Sequence, residues 1–185
     1  MNRLQQQYIN EIAPALKKEL GLSNVELIPR ITKVTINVGA GDAHTNKSIV
    51  ESISKSLKLI TGQSPVVNNA KKAISAFKIR EGNAVGLKVT LRGERMYDFI
   101  DKVISITIPR LRDFRGLSRK AVDGHGNYNF GFKENTVFVE IPYDTNTRVH
   151  GVQVCVTTTA KTDADCIKLL EMLGFPFTKL EHKEQ

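Results

Sequence analysis

The sequence predicts an α+β two-layer sandwich, a mainly antiparallel sheet with helices packed on one face. Three observations lead there. Apolar residues recur at helical spacing in four stretches and at every second position in others. The resulting order, α-β-α-β-β-α-β-β-α, places strands beside strands as hairpins instead of alternating them strictly with helices. No apolar run approaches the roughly 20 residues of a membrane span. With 185 residues, 41% of them hydrophobic and 25% charged, the chain can bury about 70% of its unfolded surface around one core. A single domain over residues 1–185 is therefore expected.

The elements follow in order. Leu4, Tyr8, Ile12, Leu16 and Leu20 recur every four residues and share a helical face, Pro14 sits where it would kink that helix, and Gly21 ends it. Val34, Ile36 and Val38 alternate with Lys33, Thr35 and Asn37, the pattern of a half-buried strand. Ile49, Ile53, Leu57 and Ile60 mark a second helix closed by Gly62, after which Gln63-Ser64-Pro65 turns the chain into a short strand at Val66-Val67. Residues 77–92 read as a hairpin or long loop with Arg80-Glu81-Gly82-Asn83 at its tip, leading into a strand in which Leu87, Val89 and Leu91 alternate with Lys88, Thr90 and Arg92. Met96, Phe99, Ile100 and Val103 define a third helix, expected to end before Pro109. An Arg- and Gly-rich loop is expected to run to about Gly131, followed by a strand at Val137, Val139 and Ile141 and another at Val152, Val154 and Val156. Thr162 suits an N-cap for a last helix that turns Cys166, Ile167, Leu169, Leu170 and Leu173 to a core and stops at Gly174.

The net charge of +8 is confined to one stretch. Residues 71–120 carry 13 Lys and Arg against 5 Asp and Glu, and the other 135 residues carry 14 against 14. Such a patch attracts polyanions and releases their counterions on binding. Catalytic signals are weak by comparison. Gly39-Ala40-Gly41-Asp42 lacks the third glycine of a dinucleotide fingerprint, with His44 in its place, and no Gly-Lys-Ser/Thr follows. His44, His125, His150 and His182 show no metal-ligand spacing, and Cys155 and Cys166 form no CxxC pair. No cofactor and no metal are expected. The N-terminus lacks the apolar core of a secretory signal, which makes the cytoplasm the expected compartment.

The outward positions of two strands, Lys33, Thr35 and Asn37 with Lys88, Thr90 and Arg92, would make a donor-rich cationic sheet surface suited to phosphates and 2′-hydroxyls. It lacks the aromatic pairs that stack unpaired bases, so folded RNA is the better target. Pro109 to Lys120 adds five basic residues in twelve. Arg110, Arg112 and Arg115, with Lys71 and Lys72, form a further basic patch whose role is RNA contact or internal structure, since Asp113 could pair with Arg110 or Arg115. Residues 134–150 are of mixed sign, and Phe138 falls on the polar side of its expected strand, either within a second small core under the Arg-rich loop or as a partner anchor.

Four segments resemble the bacterial large-subunit ribosomal protein five family: Lys88 to Met96, Pro109 to Leu117, Leu59 to Gln63, and Thr157 to Lys161 with Phe175-Pro176-Phe177. They cover nearly the whole chain in the family's order. The family's short signature runs from near Leu57 through Gly62, Gln63, Val66, Ala70, Lys71 and Ala73, with Asn68 where a small hydroxyl or thiol residue is usual. The resemblance implies a non-enzymatic constituent of the large ribosomal subunit, acting as a monomer within the ribosome. It implies 5S rRNA binding in the central protuberance through Lys33, Asn37, Gln63, Thr90 and Arg92, with Asp144 either accepting from RNA or orienting a neighbour. It further implies contact with P-site tRNA through Arg80, Gly82 and Asn83. A bridge to small-subunit ribosomal protein thirteen would run through the 134–150 region, with Glu134 and Asp144 as its charges. Neighbouring 5S-associated large-subunit proteins are implied partners, and a membrane is not. The rivals are a small RNA-modifying or nucleotide-dependent enzyme, which needs a pocket of convergent titratable groups, and a general RNA chaperone without a fixed partner.

Overall fold

The computed structural model of the chain describes residues 2–41, 47–112, 114–142 and 149–178. Five strands, β1 (Ile31–Gly39), β2 (Val66–Asn69), β3 (Ala84–Leu91), β4 (Tyr128–Phe132) and β5 (Val152–Thr158), form one antiparallel sheet in the order β2-β3-β1-β5-β4. The helices are α1 (Arg3–Gln7), α2 (Ala13–Glu19), α3 (Lys47–Thr61), α4 (Glu94–Lys102) and α5 (Asp163–Met172). The α+β architecture is as the periodicity predicts. The chain divides into two compact units, one of Met1–Val34, Arg92–Phe130 and Cys155–Gln185, the other of Thr35–Leu91 and Gly131–Val154. Neither is a continuous stretch of chain.

In the first unit, both prolines of the helical segments are accommodated by the same device. A π-helical turn at Tyr8–Ile12 ends with the Ala13 amide donating to the Tyr8 carbonyl, and Pro14 follows at once. A second π turn at Val103–Thr107 ends with the Ile108 amide donating to the Val103 carbonyl, and Pro109 follows. Widening the turn relieves the clash of the proline ring with the preceding carbonyls, so neither proline breaks its helix. The third helix accordingly continues as a 3₁₀ turn over Ile108–Arg110 instead of ending before Pro109. The spacing of four between Leu4, Tyr8, Ile12 and Leu16 is wider than an α-helix's 3.6 and suits a helix with a π insertion. Leu4, Ile12 and Leu16 are buried.

The Arg-rich segment is anchored from its far end. The Leu117 amide donates to the Pro176 carbonyl (2.8 Å), and the Thr178 amide donates to the Leu117 carbonyl (3.0 Å). Tyr128 is fully buried, its hydroxyl donating to the Ser118 carbonyl at 2.7 Å and its ring meeting Phe177 edge-on at 5.4 Å. Thr162 caps α5 by accepting from the Asp165 amide, and Cys166, Leu169 and Leu170 are buried beneath it. Burial pushes the Cys166 thiol up to about 11, which suits a packing residue and not a nucleophile.

The second unit packs α3 against β3, burying Ile53, Leu57 and Ile60 against the inward side of the strand, Leu87, Val89 and Leu91. Two sequence expectations are corrected here. Residues 137–141 are not a strand: Asn135–Val137 is a 3₁₀ turn, and the Phe138 and Ile141 amides donate back three residues to the Asn135 and Phe138 carbonyls. Burial falls on Phe138 and Ile141, three apart, while Val139 is exposed. Phe138 is fully buried edge-on against Phe132 at 5.3 Å, so it is core and not a partner anchor. The strand lies earlier, in β4, within the stretch expected to be loop, where Tyr128, Phe130 and Phe132 alternate with Asn129 and Gly131.

Gly126 tests the packing of the first unit. A Cβ there would lie 2.3 Å from the Ala160 carbonyl oxygen, at a backbone φ of +76°. Gly124, at φ +82°, has nothing within 4 Å. Both alanine substitutions incur a left-handed backbone cost of about 1–2 kcal/mol. Only Gly126→Ala adds overpacking, about 1–3 kcal/mol more. Urea unfolding should therefore show Gly126→Ala well below Gly124→Ala in stability; equal midpoints would mean that the close approach to Ala160 is not maintained in solution.

Candidate nucleic-acid interface

The strand alternation delivers the polar face that the sequence predicts. On β1 the buried side chains are Val34, Ile36 and Val38, which leaves Lys33, Thr35 and Asn37 directed the other way and partly exposed. On β3 Leu87, Val89 and Leu91 are buried, Lys88 is exposed and Thr90 partly so. Arg92 lies one residue past β3 and is exposed, before Gly93 turns the chain at φ +61° into α4. Within the second unit, β1 and β3 are joined where the Ala40 amide donates to the Val85 carbonyl at 2.9 Å. Gly86 makes the approach possible, since a Cβ there would meet the Val38 carbonyl oxygen at 2.9 Å. The Ala40 amide, which a phosphate cradle in the Gly39-Ala40-Gly41 turn would need, is thus already engaged.

Gln63 is brought to Thr90 directly. Thr61 caps the end of α3, its hydroxyl donating to the Leu57 carbonyl (2.7 Å) and accepting from the Gln63 amide (3.2 Å). Gly62 takes the left-handed conformation at φ +65°. The Gln63 side-chain amide then donates to the Thr90 carbonyl at 3.3 Å. Gln63 therefore braces the loop after α3 against β3, with its side-chain carbonyl left to accept. Lys33 and Arg92 belong to the first unit, and Asn37, Gln63 and Thr90 to the second. Asp144 lies outside the described residues, as do Asp113 and His44.

Arg80, Gly82 and Asn83 are not at a hairpin tip. The Ala70 amide donates to the Asn83 carbonyl (2.8 Å) and the Gly82 amide to the Ala70 carbonyl (3.0 Å), so these residues form the neck of an extension of the β2–β3 hairpin. The extension is paired again at Ile74 and Ile79, whose amides exchange bonds with each other's carbonyls at 2.9 and 3.1 Å. Its end is the 3₁₀ turn Ser75–Phe77, reversed by Lys78 in the left-handed region at φ 55°. Gly82 is the turn residue that the sequence suggests, but a lysine makes the reversal. Lys71, Lys72 and Arg80 are all exposed along this finger.

In the Arg-rich segment the structure separates one arginine from the rest. Arg119 forms an ion pair with Glu171, donates to the Thr178 carbonyl at 3.3 Å, and lies 5.5 Å over the Phe177 ring. Arg110, Arg112 and Arg115 are exposed. Gly116 sets this presentation, because a Cβ there would lie 2.6 Å from the Thr178 amide nitrogen. Glu134 is exposed and accepts a hydrogen bond from the Thr136 hydroxyl at 3.2 Å. Among the described residues, no group of His, Cys, Asp and Glu is arranged to hold a metal ion. A depression of about 200 Å³ between residues 20–29 and 159–165 contains none of the sheet-face residues.

Residues 24–80 match the family model described as ribosomal protein L5, and residues 84–177 match the model of the same ribosomal family's C-terminus. The large ribosomal subunit protein uL5 of Ruthia magnifica subsp. Calyptogena magnifica is 52% identical over 177 residues, covering 96% of this chain and 99% of that protein. The boundary between the two family models falls at the hairpin neck, just before β3. The chain belongs to the ribosomal protein L5 family, whose members are structural, non-enzymatic constituents of the large ribosomal subunit.

Proposed function

We propose that the chain binds 5S rRNA through the polar side of β1 and β3, with Lys33, Asn37, Thr90 and Arg92 as the gripping residues and Gln63 as the brace that holds the Thr90 backbone. The observation that carries this reading is the chemistry of the outward positions: cations, an amide and hydroxyls, with no aromatic side chain among them. Such a face suits phosphates and 2′-hydroxyls of folded RNA better than unstacked bases. Arg110, Arg112 and Arg115 form a second phosphate-gripping patch on the anchored Arg-rich segment. In this reading residues 1–185 act as a single RNA-binding domain.

Replacing Lys33 and Arg92 with Ala should weaken 5S rRNA binding and lower the magnitude of its salt slope by about one for each phosphate that is no longer neutralised. Filter binding across a salt series measures both quantities. Parent-like affinity and slope in the double variant would remove the sheet face from the RNA site.

P-site tRNA is contacted by the hairpin finger, on which Arg80, Gly82 and Asn83 form the neck and Lys71 and Lys72 add charge. Because Gly82 and Asn83 hold the finger's backbone, the informative substitution is the exposed Arg80→Ala. Ribosomes carrying it should release tRNA from the P site faster while incorporating 5S rRNA normally. Failure to incorporate 5S rRNA as well would place Arg80 in the primary RNA site.

The 134–150 region bridges to small-subunit ribosomal protein thirteen, and of its two bridge charges, Glu134 and Asp144, Glu134 lies among the described residues. Acidic side chains at a rim alter association rates more than affinity. Glu134→Lys should slow subunit joining at low salt, with the difference narrowing as salt rises. Joining kinetics identical to the parent at every salt concentration would remove Glu134 from the bridge.

A further inference from the structure

The end of the hairpin finger combines two features that the sheet face does not. Phe77 is 68% exposed, the most exposed large apolar side chain among the described residues. Its neighbours in the turn, Ser75 and Ala76, are small. The mount is held in place by the exchanged Ile74 and Ile79 hydrogen bonds and by the Lys78 amide donating to the Ser75 carbonyl at 3.0 Å. Along the same finger Lys71, Lys72, Lys78 and Arg80 are exposed, and residues 71–80 contain no acidic side chain. Leaving an aromatic ring in water is unfavourable, and Phe77 together with Ile74, 47% exposed on the same finger, is still too small a surface for a protein interface core. Four cations on the finger would repel a basic protein and attract a polyanion.

We infer that Phe77 is a base-stacking residue: the finger carries it into an RNA loop, where the ring stacks on an unpaired base while Lys71, Lys72, Lys78 and Arg80 meet the surrounding phosphates. Stacking tolerates any base because every base presents a π face, and cations nearby hold the strand against the ring. The chain then reads RNA in two ways, by backbone contact on the sheet and by stacking at the finger's end. This inference rests on the reading of the finger as an RNA contact, and it assigns to that contact the type of nucleotide it takes.

The test uses the full chain with two RNA hairpins of mixed sequence, one with 2-aminopurine at an unpaired loop position and one with it inside the stem. The parent should quench the loop probe and leave the stem probe unchanged. Phe77→Ala should abolish the quench and weaken binding about five- to a hundredfold, with the salt slope unchanged. Phe77→Trp should keep the quench. Lys78→Ala should keep the quench and lower the salt slope by about one. Circular dichroism of each variant should match the parent, since Phe77 and Lys78 are exposed. A parent that does not quench the loop probe, or a Phe77→Ala variant that quenches as the parent does, overturns the stacking role. If Phe77→Ala binds as the parent does while Lys78→Ala alters the slope, the finger is an electrostatic contact only, and the stacking role is likewise overturned. If Lys78→Ala and Arg80→Ala also bind as the parent does, the finger is not an RNA contact, and the broader reading fails separately.

Discussion

The two-residue period of β1 and β3 is the constraint on which the polar face depends. Val34, Ile36, Val38, Leu87, Val89 and Leu91 are each at most 1% exposed. Burying such side chains contributes about 1.5–3 kcal/mol apiece. A slip of one residue in either strand would expose three of them and turn Lys33 or Lys88 inward, where an unpaired charge costs several kcal/mol more. The register that maximises burial is therefore the one that presents Lys33, Asn37, Lys88 and Thr90 to solvent. Core packing and the polar chemistry of the opposite side are enforced by the same pattern, and neither can shift without the other.

Around the strands, close backbone approaches keep basic segments where the core alone would not. Gly86 lets β3 approach the Val38 carbonyl, and Gly116 lets the Arg-rich segment lie against Thr178. In both places the missing side chain allows hydrogen-bonded backbones to meet. Arg119 completes the second approach by engaging Glu171, Thr178 and the Phe177 ring at once. One arginine thus acts as a structural clamp and three remain exposed, a division of labour within a single basic run. The π turns before Pro14 and Pro109 serve a related purpose, carrying a helical segment past a residue that would otherwise end it. The Val103–Thr107 turn brings the chain to Arg110 as continuous helical backbone, so the basic segment starts from a fixed point.

The hairpin finger illustrates how a turn can mislead. Gly82 has the positive φ that glycine favours, at +84°, and its place in the sequence suggests a tip. In the folded chain that conformation serves the neck, where Gly82 and Asn83 pair with Ala70 across the hairpin. The actual reversal uses Lys78, a residue with no turn preference, because the Ile74 and Ile79 pairing leaves only residues 75–78 to cross between the strands. The Arg-Glu-Gly-Asn turn is present, closed by the Asn83 amide on the Arg80 carbonyl at 3.1 Å, but it sits at the neck, and the finger ends instead in an aromatic ring beside Lys78.

From sequence alone, the fold class, the helix caps at Gly62, Thr162 and Gly174, and the division of β1 and β3 into buried and polar sides were all legible. Each rests on interactions within a few residues or on a repeating period, which a one-dimensional pattern records. The charge surplus in residues 71–120 was equally plain, as was the resemblance that its segments carry. The tertiary structure decided what depends on distant partners. It placed a strand at Tyr128–Phe132 and turns at 135–141, because Phe138 buries itself against Phe132 and burial there outweighs the alternation of Val137, Val139 and Ile141. It bound Arg119 to the chain's last described residues, 59 positions away at Thr178, and gave Gln63 a backbone partner 27 positions away. Those interactions have no local signature, because the energy that selects them comes from surfaces that meet only after the sheet has formed.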